Sequence, residues 1–301
     1  MADLRYHVDG ELVPAEAAAV SVRDRGFVYG DAIFETLRAY GGDVFRWDVH
    51  TDRLTASAES ISLDHGVSDA ELKRRVDETL RANDLEDASV KLSVTRGAQS
   101  DTLTPDPEID PTVVVQVTPR PRGGVDSPSV WEEPATLQTV RTRRTPDESL
   151  PSQAQTHNYL NGVLARIELR VSDADEAVML DGDGHLAAGA TSTLFFVDGE
   201  ALCTPSLDGP VRPGIARREV LDIARDEGIP VREGAFTPDD LRGAEEAFVT
   251  NTTWEVRPVE TVDGIDVGGG PLTTLFQRVY DARVERDHYG GEDRSDGGTG
   301  T

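Results

Sequence analysis

The sequence predicts an α+β fold, and three observations carry that prediction. Strand-like runs come in pairs joined by Asp-Gly or Gly-Gly turns, the pattern of antiparallel hairpins rather than of doubly wound βαβ units. Helical spacing is confined to separate blocks, at 49–61, 68–80, 160–170, 214–229 and 271–287. A stretch dominated by Pro and Gly, PRPRGGVDSP at 119–128, divides the 301 residues into two halves that each contain both kinds of element. The expected organisation is an N-terminal α/β domain over 1–120, a linker over 121–128, a C-terminal α/β domain over 129–288 and a tail over 289–301. That tail, YGGEDRSDGGTGT, is too polar and Gly-rich to order itself.

In chain order, HVDGEL reads as a first hairpin and FETLRAYGGDVFRW as a second, turning at Gly41-Gly42. VHTDRLTASAESISL follows with helical spacing at Val49, Leu54, Ala56 and Ile61. Ser68 and Glu71 make an S-x-x-E capping box ahead of Leu72, Val76 and Leu80. VKLSVTRG and TVVVQVTP read as strands, and ATLQTVRTRR opens the second half with another. SQAQTHNYLNGV leads into a helix with an apolar stripe at Leu160, Val163, Leu164 and Ile167 and a basic end at Arg170. EAVMLDGDGHLAAG and STLFFVDGEALCT form an expected meander with Asp-Gly turns. GIARREVLDIARDEGI is amphipathic, and TPDDL places Thr at a cap with Pro at the first helical position. EAFVTNTTWEVRPVETV supplies two strands and PLTTLFQRVYDARVERD the last helix.

Composition narrows the function. The net charge is −26, and the acidic residues are spread along the whole chain. Nucleic acid needs a basic footprint, so it is disfavoured as a partner. The distribution suits a surface tuned for concentrated salt, where self-repulsion is screened. Lysine occurs only at Lys73 and Lys91; the other 28 of the 30 basic residues are arginine. No run is long and apolar enough for a membrane span, and the N-terminus lacks a signal-peptide pattern, so the expected location is the cytoplasm. The single Cys203 lies in an apolar run and reads as a buried small residue. The six histidines show no metal-binding spacing, so no metal is expected. Serine-hydrolase, Rossmann and P-loop motifs are missing.

Six segments, in order, go further: DRGFVYGDAIFETLRAY (24–40), HTDRL (50–54), THNYLNGVLAR (156–166), AAGATSTLFFV (187–197), RPGIARREVLDIARDEGIPV (212–231) and FVTNTTWEVRPV (248–259). Each is weak alone. At this spacing they resemble the class IV, or fold-type IV, pyridoxal-phosphate enzymes, which include branched-chain and D-amino-acid aminotransferases and aminodeoxychorismate lyase. The resemblance implies two α/β domains, cofactor in the cleft between them and a homodimer. The substrate it implies is an amino acid or an aminodeoxychorismate-like molecule. The NYL and TRG (95–97) segments look more like the lyase branch.

Carried over residue by residue, the resemblance makes Arg53 the grip on the cofactor phosphate, a role that suits a guanidinium fork. The plain alternative is a solvated helix arginine. Ile215 and Ala216 open a helix whose free N–H groups favour an anion, although the family usually has threonine at 216. Thr252 matches a second phosphate ligand. Tyr159 matches a tyrosine near the cofactor ring oxygen, or else packs in the core. Tyr29 and Arg96 fall where substrate contacts are implied.

Two positions depart from the family. Gln155 stands where the Schiff-base lysine belongs, and an amide has no basic lone pair to condense with an aldehyde or move a proton. Ala188 stands where a glutamate keeps the pyridine nitrogen protonated, and Thr193 replaces an asparagine. The expected protein is therefore a class IV homologue that is catalytically impaired or inactive, with pyridoxal phosphate non-covalent if bound. Two alternatives stay open: an active transaminase or lyase using another group, and a non-catalytic ligand-binding or partner subunit. Deliberate introduction of Gln155 is less attractive, because Ala188, Thr193 and Ala216 depart as well.

Overall fold

A computed structural model describes residues 4–100, 102–125 and 127–290. The α+β expectation holds. The first half forms a six-stranded, wholly antiparallel sheet. Its strands are β1 (Arg5–Val8), β2 (Glu11–Pro14), β3 (Ala32–Tyr40), β4 (Asp43–Val44), β5 (Ala88–Thr95) and β6 (Val113–Pro119), in the order β2-β1-β6-β5-β3-β4. The first hairpin turns as expected, because Asp9 and Gly10 both adopt positive φ, at 46° and 95°. A short helix α1 (Arg25–Val28) precedes β3, and α2 (Trp47–Ser60) and α3 (Asp69–Ala82) follow the second hairpin. Leu54 and Ala58 of α2 and Leu72, Val76 and Leu80 of α3 cover Ile33, Leu37, Val90, Leu92, Val115 and Val117 of the sheet. Ser68 caps α3 by accepting from the Glu71 amide at 3.3 Å. Only half of the expected capping box forms, because the Glu71 carboxylate turns to Arg74 and Arg75.

The second half is a larger, mixed sheet. It contains β7 (Ala135–Thr139), β8 (Glu176–Leu180), β9 (Leu186–Gly189), β10 (Thr193–Asp198), β11 (Ala201–Pro205), β12 (Val231–Gly234), β13 (Glu246–Asn251), β14 (Glu255–Val262) and β15 (Ile265–Asp266). The path runs β12-β11-β10-β13-β14-β7-β8-β9, with β15 paired to β14. This corrects the expected meander. The hairpins β8-β9 and β10-β11 form, but β13, β14 and β7 lie between them in the sheet. The strands are not all antiparallel either: β7 runs parallel to both β8 and β14, and β12 to β11. Local turn chemistry specifies a hairpin but not its neighbours.

Helices α4 (Leu160–Glu168), α5 (Ile215–Asp226), α6 (Pro238–Arg242) and α7 (Pro271–Val284) complete the second half. Tyr40 and Phe45 of the first half pack with Phe195, Val220, Phe248, Phe276 and Tyr280 of the second in one apolar cluster, so the two sheets share a seam. The Arg46–Glu219 and Arg122–Asp281 ion pairs and a Tyr40–Glu255 hydrogen bond of 2.8 Å reinforce it. Tyr289 is held at this seam: its hydroxyl accepts from the Gly41 amide at 3.1 Å and bonds Asp87, so order extends past the expected start of the tail. Residues 291–301 of that tail lie outside the described residues. No helix among the described residues is long and apolar enough to cross a membrane.

Candidate functional site

Between the two sheets lies a cavity of about 340 Å³. Arg53, Gln155, Tyr159, Ala188, Ile215, Ala216 and Thr252 all line it. The chain reaches it from α2, the segment before α4, the end of β9, the start of α5 and the loop after β13.

One end is built to receive an anion. Arg53 hangs from α2, with Nε and Nη2 donating to the two carboxylate oxygens of Glu35 at 2.9 and 2.5 Å. Its Nη1 donates to the Pro213 carbonyl at 3.1 Å, which ties the guanidinium to the start of α5. Guanidinium has five N–H groups, so donors remain after these bonds. Glu35 is 1 % exposed and also takes a 2.7 Å bond from His50 Nδ1. Burial alone would raise its pKa; the Arg53 charge and the bonds from His50 and Arg53 outweigh that and bring it down to about 2. His50 is itself shifted downward, by burial first, against the pull of Glu35. The consistent assignment is a neutral His50 donating to a Glu35 carboxylate whose charge is balanced by Arg53.

Helix α5 presents its N-terminus to the same end. Gly214 gives no side-chain cap, and the first turn holds no acidic residue. By contrast α1, α3 and α6 are capped by Asp24, Ser68 and Thr237. In a chain with 56 acidic residues, an uncapped turn facing a cavity leaves free N–H donors and the positive end of the helix dipole there. Thr252 sits in a loop fixed by Asn251, whose side-chain oxygen accepts from the Thr253 and Trp254 amides at 2.9 and 2.7 Å.

The other end lacks reactive groups. Gln155 is 7 % exposed, and its backbone is sewn to both neighbours: its carbonyl accepts from Phe34 N at 2.8 Å and its amide donates to Ser57 Oγ at 3.4 Å. Its side-chain oxygen is buried with no hydrogen-bond partner among the described residues. Ala188 offers a methyl group. A nearby acid, Glu176, is fully buried and committed to Thr191, Ser192, the Ala177 amide of its own strand and Arg166, so it stabilises the cavity wall without lining it. Tyr159 stands at the head of α4 with its ring 5.6 Å from that of Phe34, edge to face.

Neither lysine lines the cavity. Lys73 is engaged by Asp43 at 2.9 Å and Asp77 at 2.7 Å. Lys91 lies nearer the cleft than its strand position suggested. It is opposite Thr36 on β3, with Nζ 4.6 Å from the centroid of Phe34, and both Phe34 and Thr36 line the cavity. Burial lowers its pKa, and the same burial together with Lys91 brings His157 down to about 4.

Two expected site residues are not in the cavity. Arg96 is buried as a staple, donating to Asp31 at 2.8 Å and to the carbonyls of Ser62 and Ile61 at 2.8 and 2.9 Å. Tyr29 is half-buried under the Arg25 guanidinium, 4.9 Å from its ring centroid. A strand-end arginine and an aromatic in a matching motif carry no information about where their side chains turn. Sequence alone does not single out Glu35, Arg144, Arg212 and Arg217. Glu35, the one carboxylate in the strand AIFETLRAY, was the detectable signal; the RTRR run gave no sign of facing inward. Among the described residues, no cluster of His, Cys, Asp and Glu could hold a metal.

One end of the cavity thus presents Arg53 and the uncapped start of α5, and the other presents Gln155 and Ala188. Comparisons with known proteins agree on the ancestry. A family model described as amino-transferase class IV matches residues 32–262. The chain is 38 % identical over 261 residues to a putative branched-chain-amino-acid aminotransferase of Methanocaldococcus jannaschii, covering 87 % of this chain and 88 % of that protein. It is 30 % identical over 286 residues to an aminodeoxychorismate lyase of Bacillus subtilis, covering 93 % and 94 %. Among solved structures, the branched-chain aminotransferase of Thermoproteus uzoniensis with norvaline matches with a TM-score of 0.87 and 31 % identity, covering 95 % of this chain and 97 % of that one. A second solved branched-chain aminotransferase, carrying pyridoxamine 5′-phosphate, matches with a TM-score of 0.86 and 30 % identity over 94 % of each chain. The identities give the lyase branch no advantage over the transaminases.

Proposed function

Because the chain belongs to the class IV aminotransferases, its cavity has to be read against that family's chemistry, and we propose that it keeps the phosphate-binding half while lacking the groups for covalent catalysis. Pyridoxal phosphate or its amine form is then a non-covalent ligand. Arg53, the free N–H groups of Ile215 and Ala216, and Thr252 would hold the phosphate, and Tyr159 would serve the ring oxygen. When bound in an active enzyme, the group supplies an electrophilic carbonyl and a ring that accepts carbanion charge. Here Gln155 cannot form the bond or move the proton, and Ala188 cannot hold the ring nitrogen charged. Gln155 is the observation that carries the proposal. A positioned acid–base group alone accounts for roughly 10²–10⁴-fold in rate.

The experiment is equilibrium dialysis of the pure protein against pyridoxal phosphate. We expect about one ligand per chain at saturation, lost completely on exhaustive dialysis. Ligand that survives dialysis contradicts the non-covalent reading, and no binding contradicts the phosphate reading.

Lys91 favours a second reading, an active enzyme using another amine. Its lowered pKa leaves more of the amine unprotonated, and its partner Phe34 lines the cavity. It does not itself line the cavity, so the first reading is preferred.

Three further elements belong to the proposal. The two sheets, joined through 121–128, are its two domains. The protein is a homodimer, since Leu160, Val163, Leu164 and Ile167 of α4 turn outward with Phe27 and Val171, and Leu160 is 66 % exposed. An apolar helix face of that kind is what a second copy covers. The net charge of −26 gives a surface that is most stable in high salt.

A further inference from the structure

Gln155 leaves a hydrogen bond unmade as well as a reaction. Its side chain is 7 % exposed and lines the cavity, and its oxygen is buried with no hydrogen-bond partner among the described residues. A buried acceptor left unpaired is costly, and a donor brought to it removes that cost. The backbone is not free to shift toward one, because the Gln155 carbonyl and amide are bonded to Phe34 and Ser57. The last torsion of a glutamine side chain is soft, so the oxygen can turn toward a ligand while the residue stays in place. Whatever occupies the position that a lysine serves in the family therefore meets an acceptor rather than a nucleophile. An aldehyde has no hydrogen to give it.

The charge of the wall decides between the donors that remain. Among the described residues, Arg53, Arg144, Arg212 and Arg217 line the cavity and no Asp or Glu does. Glu35 and Glu233 balance Arg53 and Arg217 from outside the lining. Arg144 makes one side-chain hydrogen bond among the described residues, to the neutral Pro210 carbonyl at 3.3 Å, and burial first, then the charge of Arg212, lower its pKa. Lys91 adds a positive charge beside Phe34 of the same wall. Ala188 puts a methyl group where a carboxylate would offset a cation. An ammonium group entering such a cavity is repelled, whereas a hydroxyl donates its hydrogen without bringing a charge.

We propose that Gln155 makes its end of the cavity a receptor for a neutral hydroxyl, so that the preferred ligand is the alcohol form, pyridoxine 5′-phosphate, rather than the aldehyde or the amine. A site built to hydrogen-bond a hydroxyl rejects the analogue that lacks it, because its own buried group is then stranded. The chain thereby holds the form of the group that condenses with neither amines nor keto acids. The inference rests on the phosphate reading above, and its test separates the two.

Titration calorimetry on the intact protein compares pyridoxine 5′-phosphate with two analogues. One is 4′-deoxypyridoxine 5′-phosphate, which lacks only that hydroxyl; the other is pyridoxamine 5′-phosphate, with an ammonium in its place. The alcohol should bind at least about fivefold more tightly than either, the low end for a buried acceptor that regains a donor. In Gln155→Leu the alcohol should fall to the affinity of the deoxy compound. In Gln155→Glu the order should reverse, with the amine tightest, because a carboxylate offsets its charge. Melting curves check that each variant is folded. Equal binding of the alcohol and the deoxy compound to the parent overturns the proposal without needing any variant, and so does tighter binding of the amine. A hydroxyl advantage that survives in Gln155→Leu overturns it too, since another group then takes the hydrogen. In each of those cases the phosphate reading stands. If none of the three compounds binds the parent, that reading falls and the hydroxyl receptor with it.

Discussion

The two ends of the cavity are made of different material. The anion end is largely backbone: the first N–H groups of α5, the Pro213 carbonyl that anchors Arg53, and the loop held by Asn251. Its one indispensable side chain, Arg53, also neutralises the buried Glu35, so the fold depends on it. The opposite end is made of side chains alone. Gln155 keeps its backbone bonds to Phe34 and Ser57 whatever side chain it carries, and Ala188 stays in register with Met179 on β8. Chemistry that resides in side chains on a fixed backbone can be lost while the scaffold persists. An anion site shared with the core is harder to lose.

That contrast can be broken most forcefully at Arg53. Arg53→Ala strands Glu35 as a buried charge beside a neutral histidine, and should cost about 3–5 kcal/mol of stability together with all phosphate binding. Chemical denaturation with and without pyridoxamine phosphate measures both. A loss under about 1 kcal/mol would show that the anion end is not part of the core.

Acid unfolding comes next. Glu35 has a folded-state pKa near 2 against an ordinary 4.5, so the stability it contributes is present above 4.5 and lost as the pH falls toward 2. The shift corresponds to roughly 3 kcal/mol. His50, held neutral by burial, adds a separate loss beginning as the pH drops below its ordinary 6.5, because only the unfolded chain then takes up the proton. Glu35→Gln should make the slope between about 4.5 and 2 shallower, leaving the part due to other depressed carboxylates such as Asp31 and Asp175. A parent protein whose stability is flat across that window would contradict the Arg53–Glu35 pairing.

Repair sharpens the contrast at the other end. Gln155→Lys should gain a borohydride-reducible bond to pyridoxal phosphate but little turnover. Ala188→Glu alone should gain neither. The double variant should exceed the product of the single effects, as groups that act as a unit do. Additive effects would show that residues 155 and 188 do not serve the same ring.

The smallest effect expected is that of Gln155→Leu. Its side-chain oxygen has no partner among the described residues to lose, so stability should change by less than about 1 kcal/mol and in the stabilising direction. A clear loss would mean that the amide is held by contacts of its own.

Most of this was legible where physics is local. The Asp9-Gly10 turn, the Ser68 cap, the helices from 47, 69, 215 and 271, and buried Cys203 follow from spacing and turn chemistry. The insertion of β13, β14 and β7 between two hairpins did not, because strand order is set by packing across the whole sheet. The apolar stripe of α4 was visible, yet nothing in its period says whether it faces a core or a second copy, and it faces outward. In the site, resemblance identified the positions that share the cavity. Arg96 and Tyr29, which it also implied, do not line that cavity, and their side chains meet Asp31 and Arg25. Glu35, Arg144 and Arg212 act through partners or neighbours distant in sequence, which a linear reading does not contain.

The most direct measurement is reduction. Purified protein is incubated with pyridoxal phosphate, treated with borohydride, digested and analysed by mass spectrometry, with Gln155→Lys as the positive control. The missing amine predicts no phosphopyridoxyl mass on any peptide of the parent and one such mass, at residue 155, in the control. A stoichiometric adduct on the peptide containing Lys91, formed at low ligand concentration and competed away by pyridoxamine phosphate, would contradict it and make this chain a working pyridoxal enzyme with a relocated lysine.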